Sequence, residues 1–235
     1  MSKNSEEREN IHESENQADY HKFDPYTKKP LIEYYEEPKK KTPIVGDYDV
    51  LVVGGSQTGV TAAIAAARQG MEVMLVERFG FLGGQSIYSM VVQWEKRGFI
   101  NNLGAVTTKG IPKEIKDRII KRGGSDGLWK TEPGCEEMRG GEEWLNPEAI
   151  KVTLIEMCQE EGIELLFHTT AVDTIVQKNK GVNDSRPKAT GVIFENKSGR
   201  FGIKANAIID ATADLDIIWK AIGEKGCGLR DPKNR

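Results

Sequence analysis

The chain has 235 residues, a net charge of -3 and 38% hydrophobic residues, which suffice for one medium-sized globular domain with a core. The slightly acidic balance argues against a general nucleic-acid binder, since such proteins carry an excess of basic residues. The sequence also contains no apolar run that approaches the roughly 20 residues needed to span a bilayer, so we expect no membrane partner.

Residues 1–46 differ in composition from the rest of the chain. They are rich in Glu, Lys and Asn, contain four prolines, and carry aromatic residues without the period of a helix or a strand. A segment of this kind cannot bury enough apolar surface to offset the entropy lost on folding. We therefore predict a disordered, charged N-terminal arm.

A βαβ unit follows the arm. Residues 48–53 form a nearly continuous apolar run, which is typical of a strand buried on both faces of a parallel sheet. An Ala-rich segment at 60–68 predicts a helix that Gly70 ends, and residues 71–76 predict a second strand. The connection between the two strands is expected to be right-handed.

The remaining predicted elements complete an α/β fold with a parallel, Rossmann-like sheet. Asn146 and Pro147 suit the N-cap and first position of a helix, and Pro112 opens another helix at 111–122. Further parallel strands are predicted at 163–168 and 207–210, and a small antiparallel meander is expected as a separate layer at 171–177, 189–195 and 200–204.

These elements divide into a discontinuous cofactor domain and an insertion. The predicted cofactor domain comprises residues 47–93 and 147–235, with the first strand lying between the second and the fourth. Residues 94–146 have weak helical and loop patterning and form the insertion, for which we expect a cap-like role over a substrate.

The turn after the first strand predicts a phosphate-binding site. It reads Gly54-Gly55-Ser56-Gln57-Thr58-Gly59, a variant of the dinucleotide fingerprint. The first glycine permits the tight turn, the last lets the helix pack closely on the strand, and the middle position lets a pyrophosphate approach the backbone. Ser56 holds that middle position and offers a hydroxyl, while the helix N-terminus behind it attracts anions.

Glu77 ends the second strand, where the fingerprint expects an acidic residue. Its carboxylate can accept hydrogen bonds from both ribose hydroxyls of a dinucleotide. It would also repel a 2′-phosphate by roughly 1–4 kcal/mol at contact distance, which disfavours NADP. The βαβ unit by itself is compatible with NAD or FAD.

The next residues are Arg78-Phe79-Gly80-Phe81-Leu82-Gly83-Gly84-Gln85-Ser86. With this continuation, residues 49–86 resemble the N-terminus of FAD-dependent oxidoreductases with a glutathione-reductase-like FAD domain. The resemblance implies FAD as cofactor, with Gly83 and Gly84 making a second close approach to it and with Arg78 and Gln85 among the cofactor-binding residues.

The segment Ile208-Ile209-Asp210-Ala211-Thr212-Ala213-Asp214 is similar to the second FAD motif of the same family. The resemblance implies that Ala211 and Thr212 lie near the pyrophosphate and that the backbone of Val172 contacts adenine. The chain departs from the family pattern at Ser56, at Ala213 in place of the usual glycine, and in ending at Arg235, where members of the family continue.

This resemblance implies an oxidoreductase that transfers hydride or electrons through FAD to a small molecule, with no catalytic residue identified. Two alternatives are a truncated or split flavoprotein fragment, inactive alone or completed by a partner chain, and an NAD-binding Rossmann protein. The expected protein partner is a second copy in a homo-oligomer or a complementing chain. The three cysteines and three histidines show no metal-site spacing, and the sparse cysteines are typical of the cytoplasm. We interpret His168 as structural and the acidic group at 210–216 as solvated or helix-capping.

Overall fold

The computed structural model describes residues 36–95, 107–125, 142–177 and 187–226. The chain divides into two compact units, Met1–Lys41 and Thr42–Arg235. In the first unit, residues 36–41 are exposed and adopt neither helix nor strand. Residues 1–35 of the predicted disordered arm lie outside the described residues. Residues 44–46, also predicted to belong to the arm, are part of the first strand, so that end of the prediction is wrong. All elements discussed below belong to the second unit.

Eight strands and five helices are described within these ranges. The strands are β1 (Ile44–Val53), β2 (Val73–Val76), β3 (Gln93–Glu95), β4 (Glu142–Trp144), β5 (Glu164–Leu166), β6 (Thr170–Gln177), β7 (Lys188–Asn196) and β8 (Gly199–Asp210). The helices are α1 (Gln57–Ala67), α2 (Gln85–Tyr88), α3 (Ile111–Lys121), α4 (Pro147–Glu160) and α5 (Asp216–Gly226). Among the described helices, none has the length and hydropathy that a membrane span requires.

Six strands form one sheet in the order β5-β2-β1-β8-β7-β6, and β3 and β4 form a separate antiparallel pair. Strands β5, β2, β1 and β8 run parallel to one another, whereas β6 and β7 run antiparallel at the other edge. The predicted α/β fold is confirmed, and so is the position of the first strand between the second and the fourth.

The core lies on both faces of this sheet. Successive side chains of a strand point to opposite faces. Val52 therefore packs toward α1, α3 and α4. Leu51 packs on the other face, in one cluster with Phe194 of β7 and Ile217 of α5. Both β1 side chains are fully buried. The apolar run that begins the cofactor domain is therefore covered on both faces, as predicted.

The antiparallel meander differs from the prediction in one respect. Its third strand and the fourth parallel strand are the two halves of β8, because Ala205 and Asn206 continue the extended backbone instead of forming a turn. The meander thus extends the main sheet and is not a separate layer. Strand β1 is also longer than predicted, since Ile44 already pairs with Gly202 of β8.

The helix boundaries follow from local capping. The Asn146 side chain accepts hydrogen bonds from the backbone N–H groups of Glu148 and Ala149 at 2.8 and 3.2 Å, which confirms its N-cap role at α4. Gly70 and Gly162 follow α1 and α4 with positive φ angles of 82° and 69°. These are left-handed positions that glycine adopts without a steric penalty.

The described part of the insertion shares the core of the cofactor domain. Ile115 and Ile119 of α3 are buried in the same cluster as α1 and α4. At the surface, Arg68, the C-cap of α1, pairs with Glu114 of α3 at 2.8 Å between nitrogen and oxygen. The fully buried Glu143 of β4 pairs with Lys116 of α3 at 2.7 Å. Helix α3 is therefore anchored to its neighbours, and the cap-like role of the insertion stays a prediction.

Cys158 lies on the inner face of α4 and is fully buried. Burial raises the pKa of its thiol to about 12, so the thiol is protonated and a poor nucleophile at neutral pH. We expect iodoacetamide to leave Cys158 unmodified in the folded chain and to alkylate it in urea, as mapped by peptide mass spectrometry. Equal alkylation in both conditions would mean that the inner face of α4 opens readily.

Candidate cofactor-binding site

A cleft of about 500 Å³ opens at the carboxyl ends of β1, β2 and β8. Ligands of open α/β sheets bind at this edge, where connections from a central strand diverge to either side. Most of the residues predicted from the sequence line it, namely Gly54, Gly55, Ser56, Gln57, Thr58, Glu77, Arg78, Gly84, Gln85, Ala211 and Thr212. The three remaining predicted residues do not line the cleft; they are Gly59, Gly83 and Val172.

Two glycines set how closely α1 approaches the end of β1. Gly54 has a φ of 107°, and a β-carbon there would lie 2.5 Å from the carbonyl oxygen of Ala211. A β-carbon on Gly59 would lie 1.9 Å from the carbonyl oxygen of Gly54. The tight turn and the close helix packing predicted for the first and last glycines are thus required by the geometry, although Gly59 itself lies behind the cleft.

The N-terminus of α1 faces the cleft. Ser56 is its N-cap, and the Ser56 hydroxyl accepts a 3.4 Å hydrogen bond from the Gly59 backbone N–H. A hydroxyl that accepts still has its own proton to donate. The amides of Gln57 and Thr58 lie in the first turn, where an α-helix provides no carbonyl partner. Together with the helix dipole, these donors make a site suited to an anion.

Glu77 lies at the end of β2 with only 7% of its surface exposed. One carboxylate oxygen accepts a 2.6 Å hydrogen bond from the Gly55 backbone N–H, and the other accepts a 2.8 Å bond from the N–H of Phe79. These two partners stabilise the buried charge and hold the carboxylate beside the glycine turn. Each oxygen can accept a further hydrogen bond from a ligand hydroxyl.

The Gly83-Gly84 loop packs directly against the glycine turn. The Gly83 N–H donates to the Gly55 carbonyl oxygen at 2.8 Å. Gly84 has a φ of 56°, and a β-carbon there would lie 2.8 Å from the β-carbon of Ser56. Gly83 is buried behind the loop, whereas Gly84 lines the cleft. The close approach is therefore observed between the two loops, and the approach of Gly83 and Gly84 to a cofactor stays a prediction.

Asp210 organises the third side of the cleft at the end of β8. One of its oxygens accepts from the N–H and the hydroxyl of Thr212 at 3.1 and 2.6 Å. The other accepts from the N–H groups of Ile217 and Ile218 at 2.9 and 3.0 Å, which caps the N-terminus of α5. The helix-capping interpretation is confirmed for this residue. Its carboxylate ties the Ala211-Thr212 segment to a helix.

Replacing Asp210 with Ala is expected to lower the free energy of unfolding by about 1–2 kcal/mol, because α5 loses its cap and partly buried donors lose their acceptor. Urea unfolding followed by circular dichroism measures the change. Asp214→Ala serves as the control, since Asp214 is an exposed acid of the same loop. Equal losses in the two variants would contradict the capping role.

The rim of the cleft near β6 contains residues that sequence reasoning missed. Thr169, Thr170 and Ala171 line the cleft, while Val172 follows them at a β-bulge in the pairing of β6 with β7. The contact of Val172 with adenine stays a prediction.

His168 has a φ of 53°. Its ring faces Gly80, where an added β-carbon would lie 2.6 Å from ring atoms. The described contacts of His168 are therefore structural.

An aromatic cluster supports the loop after Glu77. The Phe79 ring stacks on Phe81 and Tyr88 with centroids 5.3 and 5.4 Å apart, and the Arg78 guanidinium lies 4.8 Å from the Phe79 centroid. Arg78 is the only Lys or Arg among the described residues that line the cleft. Within the described ranges, His, Cys, Asp and Glu form no group of three that could hold a metal ion.

Comparison with known proteins agrees with this site. Residues 49–230 match the family model described as FAD dependent oxidoreductase. The chain is 26% identical over 200 residues to the mitochondrial dihydrolipoyl dehydrogenase of Schizosaccharomyces pombe, covering 76% of this chain and 39% of that protein. It is 25% identical over 164 residues to the tRNA uridine 5-carboxymethylaminomethyl modification enzyme MnmG of Karelsulcia muelleri, covering 66% of this chain and 24% of that protein.

Solved structures share the fold. The crystal structure of THI4 from Thermovibrio ammonificans superposes with a TM-score of 0.50 at 18% identity, covering 74% of this chain and 61% of that chain. The chain spans well under half the length of the curated relatives named above. Because the family model matches most of its residues, the chain belongs to the FAD-dependent oxidoreductase family, whose cofactor is FAD.

Proposed function

We propose that the cleft binds the ADP portion of FAD and that the flavin so held serves an oxidoreductase acting on a small molecule. One observation carries the proposal: the buried Glu77 carboxylate and the N-terminus of α1 face the same cleft. An acceptor for hydroxyls and a donor set for an anion therefore lie side by side, as a ribose next to a pyrophosphate requires.

The donors suit the pyrophosphate. The amides of Gln57 and Thr58, the hydroxyl of Ser56 and the Arg78 guanidinium all belong to residues that line the cleft. Hydrogen bonds from these groups would orient the phosphates without any covalent contact.

The acceptor suits an unmodified ribose. Glu77 is held by two backbone N–H groups and can accept from ribose hydroxyls with its remaining lone pairs. A 2′-phosphate would bring a second negative charge against this buried carboxylate, which favours FAD over NADP. The family match also favours FAD over the alternative of an NAD-binding Rossmann protein.

When bound, FAD supplies the hydride or electron transfer, and this chain binds and orients it. The chain spans 39% and 24% of the two relatives compared above, so the reaction, the small-molecule substrate and the partners of the whole protein are part of the proposal. The sparse cysteines support a cytoplasmic location.

The proposal is tested by loading the purified chain with FAD, removing free cofactor and recording the visible spectrum. We expect oxidised-flavin absorption that co-purifies with the chain and is released by heat. ADP should compete with FAD for the chain, and 2′-phosphorylated ADP should compete more weakly. A colourless chain at high FAD concentration would contradict the proposal.

A second candidate is a flavoprotein half that a partner chain or a second copy completes. It is favoured by three exposed apolar residues on and next to α5, Leu215, Ile218 and Ile222, whose exposed fractions are 44%, 38% and 36%. Ile218 and Ile222 are four residues apart and share one side of the helix, and Leu215 precedes the helix with a φ of 58°. Sedimentation of the FAD-loaded chain distinguishes a monomer from a self-completing dimer.

A further inference from the structure

A second concave surface lies beside the cofactor cleft. This groove has a volume of about 700 Å³, within the range of small-molecule sites. Its floor is the outer face of α1, with Thr61, Ala62 and Ala65, and its walls include Trp94 of β3 and Ile115 of α3. Small residues therefore form the floor, and large apolar residues are among those that form the walls.

The groove is continuous with the cofactor cleft. Gln57, Thr58 and Gln85 line both, so a molecule in the groove would lie next to the N-terminus of α1. The cofactor proposed for the cleft and a molecule in the groove could therefore be bound together.

The two surfaces differ in charge. Glu77, Arg78 and Asp214 are among the residues that line the cleft. None of the described residues that line the groove is charged. An ionised ligand would lose part of its hydration there without gaining a partner of opposite charge among the described residues. The lining therefore favours a neutral, largely apolar ligand.

One buried hydroxyl in the groove can recognise a polar group on such a ligand. Ser86 is 5% exposed, and its hydroxyl oxygen accepts hydrogen bonds from Gln57 Nε2 at 2.8 Å and from Trp94 Nε1 at 3.4 Å. Two accepted bonds orient the hydroxyl and leave its proton as a donor. A carbonyl oxygen is the matching acceptor, and the Trp94 ring offers a flat surface beside it.

We propose that this groove binds the substrate of the oxidoreductase, and that the substrate is a neutral ring compound bearing a carbonyl or a similar acceptor. The inference rests on the proposed function for the presence of a redox substrate. Apart from Gln57 and Thr58, the residues that define the groove lie outside the pyrophosphate-binding turn.

Equilibrium dialysis of the FAD-saturated full chain tests the proposal with two probes of the same ring system, the neutral ketone acetonaphthone and the anion naphthoate. We expect one site for the ketone and at least roughly tenfold weaker binding of the anion. Ala65→Phe places a ring in the groove and should weaken ketone binding by at least about tenfold. Ser86→Ala should weaken it by about fivefold through loss of one hydrogen bond.

Gln69→Phe is the matched control, because it adds the same ring to an exposed position one turn further along the chain, outside the groove. It should leave ketone binding unchanged, and FAD uptake should stay normal in both Phe variants. Absence of ketone binding, equal binding of the anion, or insensitivity to Ala65→Phe would overturn the inference. So would a dimer that Ala65→Phe dissociates, since a second copy would then occupy the groove.

Failure of the proposed function gives a different result. A chain that takes up the ketone in the groove but no FAD would contradict the cofactor assignment and leave the binding site intact. A chain that takes up FAD but no ketone would contradict only the substrate site.

Discussion

Replacing Glu77 with Gln is expected to weaken FAD binding by roughly 10- to 100-fold, which corresponds to about 1.5–3 kcal/mol for hydrogen bonds to a charged group. The side chain keeps its size, but one carboxylate oxygen becomes an amide nitrogen. That nitrogen cannot accept from a ribose hydroxyl, and it faces a backbone N–H of Gly55 or Phe79. Fluorescence quenching of FAD on titration with the chain measures the affinity.

The same substitution should lower the free energy of unfolding by about 1–3 kcal/mol, because a buried N–H loses its acceptor. Glu72→Gln is the matched control. Glu72 is exposed and precedes β2, so this variant has the same change in net charge at the opposite end of the strand. If Glu72→Gln and Glu77→Gln bound FAD equally well, Glu77 would have no role in holding the ribose.

Replacing Gly59 with Ala should destabilise the fold by about 3 kcal/mol or more. A β-carbon would lie 1.9 Å from the Gly54 carbonyl oxygen and 3.2 Å from the Ala211 β-carbon, so α1 must move away from the end of β1. The displaced N-terminus would no longer present its amides to the cleft, so FAD uptake should be lost even in the folded fraction. Urea unfolding and the flavin spectrum give the two readouts.

Gly70→Ala provides the comparison for this prediction. Gly70 has a φ of 82° with no heavy atom within 4 Å of an added β-carbon, so the substitution introduces backbone strain without a clash. We expect a loss of about 1–2 kcal/mol and normal FAD uptake. Helix propensity alone predicts that Gly59→Ala stabilises the chain. That result would show that α1 does not pack closely on the turn.

The parts of this fold that sequence reasoning predicted correctly depend on local signals. The apolar run of β1, the Ala-rich α1, and the Asn146 cap before Pro147 each determine an element within a few residues of themselves. The glycine turn and Glu77 could be assigned to one site because a βαβ unit always brings the ends of its parallel strands to the same edge. Most of the predicted cofactor residues therefore meet in one cleft.

The errors and omissions arose where partners are distant in sequence. The pairing of β8 with both β1 and β7 made one long strand out of two predicted ones. The register of β6 against β7 placed Thr169 to Ala171 on the cleft and Val172 at a bulge. Register and strand continuity depend on the pairing partner as well as on the pattern of the segment itself.

The sequence by itself determined the βαβ unit, the position of the phosphate-binding turn and the acidic residue beside it, since these follow from short-range pattern and chain direction. Only the tertiary structure decided what surrounds them. It showed that Gly55 and Phe79 hold Glu77, that Asp210 caps α5, and that an uncharged groove adjoins the cleft. Each of these depends on contacts between segments that only packing of the whole sheet brings together.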